Sequence, residues 1–157
     1  MTHTRRALMR HNNLATWLML AFAAYVTLPQ IVMPWLFIDL RSVEVEVIDG
    51  EPVVTADRII RQDFQGTYQV TVRTAAHERI CVAEPAKKWS PYESEASGIN
   101  PLVKPLWWWL GSKADYERCV GRGMTNGVFY INTCHSALWK GIEFGPRCVT
   151  SNTFRLK

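Results

Sequence analysis

Four cysteines, Cys81, Cys119, Cys134 and Cys148, carry the clearest chemistry in the chain. An even set suits two disulfides formed in an oxidising compartment, where covalent staples support a small core. There is no Cys-x-x-Cys for dithiol exchange, and the gaps between successive cysteines match no zinc-finger spacing. Cys134 and Cys148 are equidistant from Gly141, so a hairpin folded about that glycine lets them face each other. Elimination then pairs Cys81 with Cys119, with the other two connectivities left open. His135 beside Cys134 and His77 near Cys81 are the only histidines placed to extend a thiol or metal site. A site at Cys134, His135 and Cys148 is therefore the second alternative, while the main expectation is no metal and no cofactor.

Catalytic motifs are missing. The chain lacks Gly-x-Ser-x-Gly, a phosphate loop, His-Glu-x-x-His and a dinucleotide fingerprint. Glu93 and Glu95 sit in a Ser/Pro-rich loop and read as solvent-facing, and Asp115 and Glu117 fit one charged helix face. Gly121-Arg122-Gly123 and Thr125-Asn126-Gly127 read as turns. The expectation is a protein that is not an enzyme. Trp107, Trp108 and Trp109 remain as candidate binding residues, because three consecutive tryptophans cannot all face one way on a strand or a helix. They form either a plug over the end of a sandwich or an interfacial anchor resting on lipid or on a partner protein. A third use, a stacking platform for cell-wall or carbohydrate ligands, is the first alternative.

The elements that hold these residues read mainly as strands. Val43–Val47 alternates apolar and charged residues before an Asp49-Gly50 turn, and 53–60 supplies a second strand. Gly66–Arg73 alternates with Tyr68, Val70 and Val72 on one face, and Ile80–Val82 returns after a turn at 75–78. Prolines 85, 91, 101 and 105, with Lys87, Lys88, Ser97 and Gly98, mark 85–111 as a long excursion out of the sheet. Ser112 opens a short helix to Arg118. Gly127–Thr133 repeats the pattern of Gly66–Val72, and Arg147–Thr150 repeats Ile80–Ala83. Equivalent strands of the two hairpins are expected to pack face to face, with 152–156 continuing the last strand and Phe154 and Leu156 inward. Short alternating strands, turn glycines and an aromatic soon after the glycine resemble, in architecture, immunoglobulin-like or fibronectin-like sandwich modules. No Trp sits between the cysteines in the arrangement that antibody domains require, and Tyr130 precedes Cys134 by four residues instead of two, so no family is assigned.

One stretch sets the topology. Residues 14–38 contain no charge and exceed the about eighteen apolar residues of a transmembrane helix. Arg5, Arg6 and Arg10 precede it and all 14 acids follow it, so the positive-inside bias places a basic tail, 1–13, in the cytoplasm. Ala21-Phe22-Ala23 before Ala24 would also suit signal cleavage, but a cut there leaves a greasy new N-terminus, and retention as a signal-anchor is preferred. The net charge of +4 is thus partly topogenic, and no nucleic-acid partner is expected. The whole reads as a transmembrane helix followed by a small disulfide-stapled, immunoglobulin-like antiparallel β-sandwich over 41–157. Its C-terminal domain is periplasmic or extracellular, at the inner membrane if the source is bacterial. It mediates protein–protein interaction with another envelope or membrane protein, as an accessory subunit or a phage or mobile-element envelope factor. The absence of an Asn-x-Ser/Thr sequon agrees with such a source.

Overall fold

A computed structural model describes residues 2–83, 89–94 and 100–156, with the side chains of 2–12, 29–30 and 33–35 excepted. Pro85, Lys87, Lys88, Glu95, Ser97 and Gly98 lie outside the described residues, as do the side chains of Arg5, Arg6 and Arg10.

The chain opens with helix α1, Thr2–Leu36. Ala, Leu and Met favour it and it holds no glycine, and it takes in the tail expected as a separate segment at 1–13. Its end differs from the expected 14–38. Phe37 and Ile38 leave the helix and are wholly buried in the globular part, because an apolar run alone does not separate residues covered by lipid from residues covered by protein. Among the described residues no helix is long and apolar enough to cross a membrane. Trp17, Leu18, Met19 and Leu20 are all exposed, and four consecutive residues cover the whole circumference of a helix.

The remainder is mainly β, in two antiparallel sheets. Strands β1 (Ile38–Ile48) and β2 (Glu51–Ile60) form a hairpin. Asp49 and Gly50 at its tip both have positive φ, 51° and 84°, the tight turn whose twist matches paired strands. Strands β3 (Phe64–Thr74) and β4 (Arg79–Ala83) form the second expected hairpin. The segment expected to leave the sheet does not do so entirely. Its β5 (Ser90–Tyr92) pairs with β3 and its β6 (Leu102–Pro105) pairs with β2, so it crosses from one sheet to the other. Helix α2 (Leu106–Trp109) follows directly, then α3 (Lys113–Gly121), whose Ser112 cap accepts the Asp115 amide at 3.1 Å. Strands β7 (Gly127–Trp139), β8 (Ile142–Thr150) and β9 (Phe154–Leu156) complete the chain. The sheet orders are β1-β2-β6 and β4-β3-β7-β8, with β5 beside β3 and β9 beside β7.

One expectation is corrected here. The similar stretches in β3 and β7 do not pack face to face; they are neighbours in one sheet, with Tyr68 opposite His135. The final strand does continue the path of β8 along β7: Thr150 is opposite Asn132 and, past residues 151–153, Phe154 and Leu156 are opposite Phe129 and Gly127, with both side chains buried as expected.

Both expected disulfides are present, Cys81–Cys119 and Cys134–Cys148. The second depends on a bulge. The β7–β8 turn is Lys140-Gly141, with Trp139 opposite Ile142, so its centre falls half a residue before Gly141. Between Arg147 and Phe144, β8 carries Gly145 and Pro146 against the single Ser136 of β7. That extra residue shifts the register and brings Cys134 opposite Cys148. Proline is tolerated there because it owes the ladder no N–H.

The main core lies between the sheets, where Val43, Val45, Val54 and Ala56 meet Val70, Val72, Phe129 and Ile131. Leu106, Trp109 and Leu110 plug into it from α2 and the residue beyond. A smaller cluster, Phe37, Ile38, Ile60, Phe64 and Ala137, seats the end of α1.

Candidate functional site

The tryptophan triplet divides three ways. Trp109 is 1% exposed in the core, Trp107 is half-buried, and Trp108 is 37% exposed. Trp108 lays one face along Tyr68, with ring centroids 6.4 Å apart. A single open ring offers little of the stacking platform read from three.

Beneath Trp108 lies a polar aromatic cluster. Tyr68 of β3 stacks on His135 of β7 at 5.6 Å, and the Tyr92 hydroxyl of β5 lies 3.4 Å from His135 Nδ1. Arg58 of β2 reaches over the Tyr92 ring at 5.8 Å. Burial governs this group: it pushes the two phenols up and the Arg58 guanidinium down. His135, fully enclosed and beside that cation, is pushed down to about 3 and is neutral near neutral pH. Among the described residues its Nε2 and Trp109 Nε1 have no hydrogen-bond partner. Among the described residues no carboxylate orients His135, which is 2% exposed between the sheets. The thiol or metal site at Cys134, His135 and Cys148, the second alternative, is not assembled among the described residues. Both sulfurs are in a disulfide, and His135 points to the inner face of β7 while its neighbour Cys134 takes the other. Among the described residues no group of three or more ligating side chains gathers. Glu93 is exposed, and Glu95 lies outside the described residues.

The outward face of the larger sheet offers a different arrangement. Arg73 of β3 and Arg79 of β4 are direct cross-strand partners. Like charges opposite each other in a sheet are destabilising. With Arg122, just past α3, they line an open groove of about 630 Å³ floored by Gln69, Thr71 and Asn132, and no carboxylate lines it. Among the described residues none of the three forms an ion pair; Arg73 donates to the carbonyl of His77 at 2.9 Å. On α3, the carboxylate of Asp115 is already held by Arg118 and Ser112. The Cys81–Cys119 disulfide joins β4 to α3 and so fixes Arg122 relative to Arg79. The arrangement gathers three guanidinium groups in one open groove, the chemistry that suits an anion.

Sequence reading passed over these arginines. A signal existed for two of them, since a hairpin turning at 75–78 puts Arg73 and Arg79 opposite one another. Arg122 was hidden in a turn and joins them only through the disulfide.

No protein family, no curated protein and no solved structure matches the chain.

Proposed function

We propose that the chain is a membrane-tethered binding module that captures an acidic segment of another envelope or membrane protein in the arginine groove. The observation that carries this reading is the uncompensated Arg73–Arg79 pair, joined by Arg122 in a groove without a carboxylate. A fold keeps such a placement at a cost in stability, and an anionic ligand relieves it. In this reading α1 is a single-pass signal-anchor with its N-terminus in the cytoplasm, and the β head is periplasmic or extracellular. The all-round apolar exposure of Trp17–Leu20 supports the anchor, since a helix apolar on every side needs cover that the head does not give it. Two disulfides support an oxidising compartment. The immunoglobulin-like likeness remains one of architecture, as neither disulfide joins the two sheets.

Binding of a fluorescent glutamate-rich decapeptide to the full-length chain tests the groove. The expected result is affinity that falls as salt rises, and a loss of about tenfold or more in the R79E/R122E double variant. Equal binding of a lysine-rich decapeptide, or no loss in the double variant, overturns the reading.

A further inference from the structure

The tip of the β7–β8 hairpin carries an apolar pair that the head leaves uncovered. Trp139 and Ile142 are directly opposite each other there, 37% and 45% exposed. The turn between them is Lys140-Gly141, with φ of 48° and 80°. Lys140 Nζ stands 4.4 Å over the Trp139 ring. The position of this tip gives the pair its meaning. Phe37, the first residue beyond α1, is wholly buried, with its ring 4.9 Å from Phe144 and 6.1 Å from Trp139. The hairpin tip therefore sits one ring contact from the place where the helix leaves the head, and α1 itself lies against β8.

We infer that Trp139 and Ile142 form a second membrane contact, seated among lipid headgroups beside the end of α1, with Lys140 reaching the phosphates. This rests on the reading of α1 as a membrane anchor. An indole has an apolar body and one N–H donor, which favours the boundary between hydrocarbon and water. Ile142 adds apolar area beside it. A lysine next to that pair keeps its stem on the ring and its ammonium at the level of anionic lipid. Two points of attachment would fix the tilt of the head on the bilayer, which a single one leaves less determined. The role read from the sequence for Trp107–Trp109 as the interfacial anchor thus passes to Trp139. Trp109 is spent in the core and Trp108 lies against Tyr68.

The test uses the full-length chain reconstituted into vesicles of phosphatidylcholine and phosphatidylglycerol. Anchoring is read by flotation that survives high salt and alkaline carbonate. Hairpin seating is read by the part of the tryptophan emission that Trp139→Phe removes, with nitroxide lipids labelled either near the headgroup or near the acyl-chain end. The expected result is flotation of both proteins and quenching of the Trp139 component at least about twofold stronger by the headgroup-proximal label. Ile142→Trp, which adds a reporter to the same tip, should gain a component quenched in the same order. Flotation with an unquenched Trp139 component and an unquenched Ile142→Trp component overturns the hairpin contact while leaving the anchor standing. Failure to float overturns both.

Discussion

The side-chain amide of Asn152 exchanges two hydrogen bonds with the backbone of Val45: it accepts from the Val45 amide at 2.7 Å and donates to the Val45 carbonyl at 3.0 Å. Val45 lies on β1, the edge of the smaller sheet, and Asn152 follows β8 of the larger one. The amide therefore does across the sheets what a neighbouring strand does within one, and it occupies an edge otherwise open to foreign strands. Asn152→Ala should cost about 1–3 kcal/mol, since it removes two bonds and leaves a half-buried amide unpaired. Urea unfolding of the variant checks this; an unchanged midpoint would show that water replaces Asn152 without loss.

Gly66 is fixed by a ring. A Cβ at this position would stand 2.5 Å from two carbons of Tyr92 and 2.8 Å from one of Phe64. Both rings are themselves stacked, with centroids 4.8 Å apart, so neither can yield freely. Gly66→Ala should destabilise the head by about 1–3 kcal/mol through overpacking. It should also disturb the Tyr92–His135 contact, which an aromatic chemical-shift change for His135 would report.

Much of this architecture was legible because it depends on local rules. Alternation in 43–47 and 66–73 gave the strands, Asp49-Gly50 gave a turn, and Ser112 gave a helix start. The Cys134–Cys148 pairing was also legible, although it holds only because the bulge at Gly145 and Pro146 corrects a turn centred off Gly141. What the sequence hid was non-local. Nothing local shows that Phe37 and Ile38 belong to the head and not to the apolar helix, or that a proline-rich segment contributes one strand to each sheet. Likewise, two similar strands pack as neighbours or as opposing layers with the same alternation.

Removal of Cys134–Cys148 tests how far the β7–β8 register relies on the disulfide. It closes a short loop, and Cys134→Ser should cost about 3 kcal/mol under oxidising conditions on the loop-entropy account. With dithiothreitol present, the variant and the parent should differ little in urea midpoint. An equal loss in both states would mean that the sulfur is needed for packing and not for the cross-link.

His135 should make the head acid-sensitive. Unfolded, its imidazole takes a proton near the ordinary 6.5; folded, burial holds that event down to about 3. Above the unfolded value both states are neutral and the residue adds no pH dependence. Between the two values only the unfolded state binds the proton, so stability falls as pH drops, by up to about 1.4 kcal/mol per pH unit. The groups packed on His135 do not oppose this, since Tyr68 and Tyr92 stay neutral and Arg58 is a cation. His135→Phe should flatten unfolding free energy against pH across that window. A slope equal to the parent's would assign the acid sensitivity to the carboxylates.

Arg73→Glu separates the groove's role from its cost. Opposite Arg79, a glutamate replaces repulsion with attraction, which is worth about 0.2–1 kcal/mol in an exposed cross-strand pair. The lost bond from Arg73 to the His77 carbonyl offsets part of that gain, so thermal stability should hold or rise slightly. Binding of the glutamate-rich decapeptide should move the other way, weakening about tenfold as one cation is removed and an anion is set in its place. A site kept for binding shows this opposition, because its charges are arranged for a ligand and not for the sheet. If binding and stability both stay unchanged, the facing arginines are solvated independently and the groove has no claim on an anion.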